Sequence, residues 1–134
     1  MPSSHLPIYP TNTQTVFEAV GGAPAFERLV ERFYNGVAQD TTLRPLYPAD
    51  LTESKRHLRL FLIQFFGGPT TYSQERGHPR LRMRHLPFSI GQAERDAWMH
   101  HMTAAIETEM PPEVHGVLLD YFDRVATFMM NTPD

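Results

Sequence analysis

The 134-residue sequence contains no cysteine, which excludes disulfides, thiolate metal sites and a cysteine nucleophile. No apolar run approaches the ~18–20 residues that a membrane span requires. The first residues lack the charged-then-apolar layout of a secretory leader, so the expected location is cytoplasmic, with no membrane partner. Positive charge is not in excess: 12 Lys and Arg face 15 Asp and Glu, giving a formal charge of −3. That balance argues against nucleic acid as a partner. No segment alternates polar and apolar residues as a half-buried strand does. Internal repeats are absent, as is any flavin or nicotinamide fingerprint. The 7 histidines include no H-x-x-x-H or H-x-x-E pattern that would hold a bare metal ion.

What is present is helical periodicity. Residues 1–15, rich in Pro, Ser and Thr, read as a flexible arm, with Leu6, Ile8 and Tyr9 able to dock on a surface. A short turn over Val16–Val20 stops at Gly21-Gly22. Ala25–Ala38 is strongly amphipathic: Phe26, Leu29, Val30, Phe33, Tyr34 and Val37 recur at i, i+3, i+4, i+7. Asp40–Leu51 reads as a connector with a turn or two of helix, where Tyr47 can be pushed inward. A second long helix runs from Leu51 or Thr52 to Phe66, with Ser54 the odd polar member of the stripe Leu51, Leu58, Phe61, Leu62, Phe65. Gly67-Gly68-Pro69 ends it. Thr70–Gly77 reads as a loop carrying Tyr72. A third long helix spans Gln92–Glu107, with Trp98, Met102, Ala105 and Glu109 in line, widened by Ala97, His101 and Ile106. Glu113–Met130 is the most apolar helix. The expected fold is all-α, in two helix pairs packed across each other.

The stretch Gly77–Phe88 contains His78 and His85, with Arg80, Arg82 and Arg84 between them. Pro79 suits a first helical turn, and Pro87 closes the segment. The segment therefore reads as a short helix opened near Pro79, with His85 at its tail. An imidazole so bounded has little freedom, which a metal ligand requires. The competing readings are a surface histidine and, for the arginines, a basic patch or solvated face.

Interior donors add to this. Tyr34 and Trp98 are expected to face inward on different helices, and buried donors cost free energy unless paired. Several inward donors with few inward acceptors point to a ligand as the acceptor. One histidine cannot hold a bare ion tightly. A macrocycle that brings its own equatorial ligands needs only one, which favours haem over zinc.

The runs Phe33-Tyr34, Phe65-Phe66-Gly67-Gly68-Pro69, Gly77-His78-Pro79-Arg80-Leu81-Arg82-Met83-Arg84-His85 and Glu94-Arg95-Asp96-Ala97-Trp98 resemble the group II truncated haemoglobins. The likeness covers about Val16 to Asn131. It implies a truncated globin-like two-over-two helical sandwich over residues 16–132, with a short proximal helix and one haem b (iron protoporphyrin IX). By resemblance, His85 is the proximal iron ligand, and Tyr34, Tyr47 and Trp98 are the distal groups. Ser54 takes the distal position held by histidine in ordinary globins, and Leu58 a position that is glutamine in some members. Phe61 is expected on the haem face, and His57, Tyr72 and Arg84 near the propionates. His78, Leu81 and Phe88 complete the expected cofactor contacts.

Two functions are consistent with that site. One is the binding of O2 and other diatomic gases with high affinity and slow release, for capture, storage or transport. The alternative is a redox enzyme, a nitric oxide dioxygenase or peroxidase-type detoxifier, which needs an external reductase partner. A third reading, an all-α interaction module without haem, uses the basic stretch to bind an acidic partner. Either a monomer or a homodimer is compatible with the sequence.

Overall fold

A computed structural model describes residues 14–133; the arm expected at 1–15 lies outside it but for its last two positions. Seven α-helices follow in order among the described residues: α1 (Val16–Ala19), α2 (Ala23–Ala38), α3 (Thr52–Phe65), α4 (Thr71–Arg76), α5 (Leu81–His85), α6 (Gln92–Glu109) and α7 (His115–Met129). Short 3-10 turns at Arg44–Leu46 and Pro112–Val114 complete the path. α2 packs against both α3 and α6, and α6 against α7. The four long helices thus form the two stacked pairs expected, and the fold is all-α.

The apolar stripe of α2 becomes the centre of the core. Phe26, Leu29, Phe33 and Val37 are fully buried there, and Met102, Ala105 and Ile106 of α6 meet them. Glu109, which falls on the α6 stripe, escapes burial of a bare charge by reaching Arg32 at 2.6 Å and Arg28 at 3.4 Å. α2 and α6 approach closely at Gly36, where an added Cβ would lie 2.3 Å from Nδ1 of His101. That imidazole is itself held, with Nε2 at 2.7 Å from Asp40 Oδ2. Gly36→Ala gains helix propensity of about 1 kcal/mol, but must displace the ring or the helix. Overpacking costs ~1–3 kcal/mol, so a net loss of stability, with a lower urea midpoint, is expected.

α1 opens on a capping box. Thr15 Oγ1 accepts from Glu18 N at 3.1 Å and Glu18 Oε1 accepts from Thr15 N at 3.0 Å. It docks on the end of α3 through Phe17 N, which donates to Phe66 O at 2.9 Å. Gly67 allows this twice over: its φ is +105°, and a Cβ would sit 2.5 Å from Thr15 Cβ.

Three local expectations are corrected. The stretch expected as loop over Thr70–Gly77 contains α4. Gln64 of α3 accepts from Ser73 N at 2.8 Å and donates to Ser73 Oγ at 2.7 Å, so a side chain from another helix caps the short one. The proximal helix begins at Leu81 rather than near Pro79, because Arg80 takes the left-handed conformation, φ +47°, with its N–H donating to His78 Nδ1 at 3.0 Å. Arg82 is not on a solvated face. Its guanidinium donates to Phe128 O at 3.1 Å and Met130 O at 3.2 Å, satisfying the last carbonyls of α7.

Candidate functional site

The helix pairs enclose a cavity of about 430 Å³, within the ordinary range for a small-molecule or cofactor site. Its lining includes Tyr34, Tyr47, Ser54, His57, Leu58, Phe61, Tyr72, Leu81, Arg84, His85, Phe88 and Trp98. Of the thirteen residues singled out from the sequence, only His78 is not in the lining. It is exposed, and its Nδ1 is engaged by the Arg80 amide.

His85 is brought to the cavity by α5. Its Nδ1 lies 2.6 Å from Leu81 O. A carbonyl can only accept, so Nδ1 carries the proton and Nε2 keeps a lone pair. No hydrogen bond engages Nε2 among the described residues. An imidazole fixed through one nitrogen to a backbone carbonyl, with the other free, is the usual state of a metal-ligating histidine.

Three aromatic donors share another part of the lining. Tyr34, on the buried stripe of α2, is 4% exposed. Among the described residues its hydroxyl finds only Ser54 O, at 3.5 Å, the outer limit for a hydrogen bond. Tyr47 packs edge-on against Tyr34, ring centres 5.5 Å apart. The backbone that presents it is gathered by Arg44, which donates to the carbonyls of Tyr47, Pro48 and Ala49 at 3.3, 3.0 and 2.8 Å. The Trp98 indole faces the Tyr47 side chain closely enough to offset part of the effect of burial on that phenol. Indole N–H can only donate, so at that approach the Tyr47 oxygen is the accepting atom and its own proton can point elsewhere.

Burial keeps both phenols protonated. It pushes Tyr47 up to about 12 and Tyr34 well above the ordinary tyrosine range, with the neighbouring Tyr47 adding to the latter. Both folded values lie above the unfolded one of ~10. Stability from the neutral phenols is complete below pH ~10 and is lost as pH climbs toward 12 and beyond. The unfolding free energy from urea titrations should hold through the neutral range, then fall by ~1.4 kcal/mol per pH unit for each phenol titrating, with Tyr47→Phe removing its share.

At another part of the lining two arginines meet an imidazole. Arg76 Nη1 lies 2.7 Å from His57 Nε2, and its guanidinium sits over the Tyr72 ring at 5.8 Å. Arg76 Nε is buried with no partner. Arg84 is tied to Pro79 O at 2.9 Å. Neither arginine has a carboxylate partner among the described residues. Burial, then the charge of Arg76, lowers His57 below the usual imidazole range. Arg76 is the site residue that sequence reasoning missed. Its spacing from Tyr72, one helical turn on, is a usable signal once α4 is known to be helical.

Crossed helix pairs around an apolar cavity, with one free imidazole nitrogen in its lining, define the globin class. The chain belongs to the bacterial-like globin family, whose model matches residues 15–131. It is 40% identical to the Group 2 truncated hemoglobin YjbI of Bacillus subtilis over 116 residues, covering 86% of this chain and 87% of that one. The crystal structure of a hemoglobin from Chloroflexus aurantiacus is similar at a TM-score of 0.86 and 53% identity, covering 88% and 98%. That of the truncated oxygen-avid haemoglobin of Bacillus subtilis gives 0.83 and 39%, covering 88% and 100%. The family implies a haem cofactor, and globins bind O2 and other diatomic gases. No described helix is long and apolar enough to cross a membrane.

Proposed function

We propose that this chain holds a b-type haem through His85 and binds oxygen tightly, with Tyr34, Tyr47 and Trp98 as the donors that stabilise the gas. The observation that carries this reading is the His85 imidazole: Nδ1 committed to Leu81 O at 2.6 Å, Nε2 free, in the lining of an apolar cavity. The remaining residues fit the group. The orphaned Nε of Arg76, with the Arg84 guanidinium, offers cationic donors for two propionate carboxylates, and the His57 imidazole lies beside them. Phe61, Leu58, Leu81 and Phe88 supply apolar surface for the porphyrin faces. When bound, the haem supplies an iron centre that takes up a diatomic ligand.

The chain's own residues do the rest. His85 Nδ1–H, donating to Leu81 O, makes Nε2 a stronger electron donor and fixes the ring plane. Tyr34 holds its proton next to the cavity because Ser54 O accepts it only weakly. The Trp98 indole faces the Tyr47 oxygen, an approach that leaves the Tyr47 proton available. Ser54 is short and half-buried, and Leu58 adds no donor. High oxygen affinity is supported by this donor set and by the likeness to an oxygen-avid relative.

Gas binding is favoured over peroxide turnover by the phenols. General acid–base work is most effective with a group titrating near the working pH, and burial has moved both tyrosines far above it. Absorption spectra of the purified protein with added haem, in ferric, ferrous and carbon monoxide forms, test the reading; absence of a Soret band sinks it. Stopped-flow mixing of the oxygen-saturated protein with nitric oxide, with and without a reductase, separates storage from sustained dioxygenation.

A further inference from the structure

α5 has five residues and none of them is buried. Met83 and Leu86 are each 53% exposed. Burial of apolar surface therefore does little to hold this helix, and so short a helix does not hold itself. Hydrogen bonds from outside must fix it.

Three side chains supply them. Arg84 ties the helix back to Pro79 O, and Arg82 grips the end of α7. Asn131 acts on His85 itself. Its Nδ2 donates to His85 O at 3.3 Å and to Phe88 O at 2.8 Å. Its Oδ1 accepts from Ile90 N at 3.0 Å, and its backbone N–H donates to Ile90 O at 2.9 Å. The carbonyl of a helix's last residue has no intrahelical donor; here His85 O accepts from Phe88 N at 3.0 Å in the turn that follows, and an asparagine 46 residues away adds a second donor that ties this turn to the end of α7. The His85 ring is locked to α5 through Leu81 O, so wherever α5 sits, Nε2 goes with it.

We infer that Asn131 is a positioning residue for the proximal histidine: the segment just after α7 sets where the His85 imidazole stands. The inference rests on His85 being the iron ligand. Asn131 is not itself in the cavity lining; it reaches the lining residues His85, Phe88 and Ile90 only through their backbone atoms, so its effect on the ring passes through the His85 backbone.

Asn131→Asp tests this closely. It keeps the shape and the Oδ1 acceptor for Ile90 N–H and removes both Nδ2 donations. Ser89→Ala is the control, because it cuts the Ser89–Thr132 hydroxyl contact at 3.0 Å without touching His85 O. Both variants are compared as ferrous holoprotein, by the iron–histidine stretching band in resonance Raman and by the rate of haem transfer to an apoglobin acceptor. N131D is expected to shift and broaden the band and to speed haem transfer about tenfold, the effect of one hydrogen bond. S89A is expected to leave the band in place. If the aspartate prevents folding, Asn131→Ala must give the same result. The change is then repeated in His85→Gly reconstituted with free imidazole, where no backbone links Asn131 to the ring and the iron–imidazole band should not respond. An unmoved band in N131D and N131A, an equal shift in S89A, or an undiminished shift in the His85→Gly background overturns the inference. Absence of an iron–histidine band from the parent chain removes the ligand reading itself, a separate result from any of these.

Discussion

Replacing His85 with glycine is expected to abolish tight haem retention, and free imidazole is expected to restore it. Among the described residues no cluster of three or more His, Asp or Glu side chains could take over as ligands. The other histidines with described positions are engaged elsewhere or exposed: His57 with Arg76, His101 with Asp40, His115 with Met110 O at 2.8 Å. Losing a partner of a metal ligand already costs roughly 10–100-fold in affinity, so losing the ligand should accelerate haem transfer by at least about a hundredfold. Glycine leaves a hole of imidazole shape beside Leu81 O, and that carbonyl still accepts an N–H. Added imidazole can therefore take the same hydrogen bond and present its other nitrogen to the cavity. His78→Ala is the matched control. Its ring is exposed and caps a turn, so haem transfer should barely change. A His85→Gly protein that keeps the parent spectrum without imidazole would show that the ligand lies elsewhere.

Much of this was legible before the structure, and the reason lies in which residues carry local signals. Tyr34 and Trp98 are polar-tipped residues on apolar stripes, and a stripe states its own direction once its period is known. His85 stood out because two prolines bound its segment. His78 shared that stretch but not its fate. Arg80 at φ +47° breaks the backbone between the two histidines, so only one of them rides on the helix. The boundary signals of short helices were illegible. α4 is capped by Gln64 of α3, and α5 is held by Asn131 and by the reach of its own Arg82 to the end of α7, partners that lie outside each short helix. Arg76 was invisible for the same reason: its role depends on α4 being a helix. Leu58 and Phe61 could be placed on a stripe, yet only the resemblance to a family told a cofactor-facing residue from a core one.

Tyr34→Phe with Trp98→Phe is expected to give the largest functional change short of losing the haem: much faster oxygen release with carbon monoxide binding little altered. A hydrogen bond to a ligand carrying partial negative charge contributes ~1.5–3 kcal/mol, or roughly ten- to a hundredfold in rate of escape. Tyr34 alone should give an effect in that range, since its hydroxyl has no strong internal partner to fall back on. Trp98 should act differently. Its indole faces Tyr47, so much of its effect should pass through the orientation of that phenol. The two changes Trp98→Phe and Tyr47→Phe should then be far from additive, whereas Tyr34→Phe and Trp98→Phe should come closer to additivity. Carbon monoxide carries little charge and gauges steric effects, which separates lost donors from a reshaped cavity. The oxygen off-rate of the parent chain should also be flat between pH ~6 and ~9, because burial holds Tyr47 near 12 and Tyr34 higher still. An off-rate unchanged in the Tyr34→Phe, Trp98→Phe double variant would mean that these buried donors serve packing alone, and the tight-binding reading would fall with them.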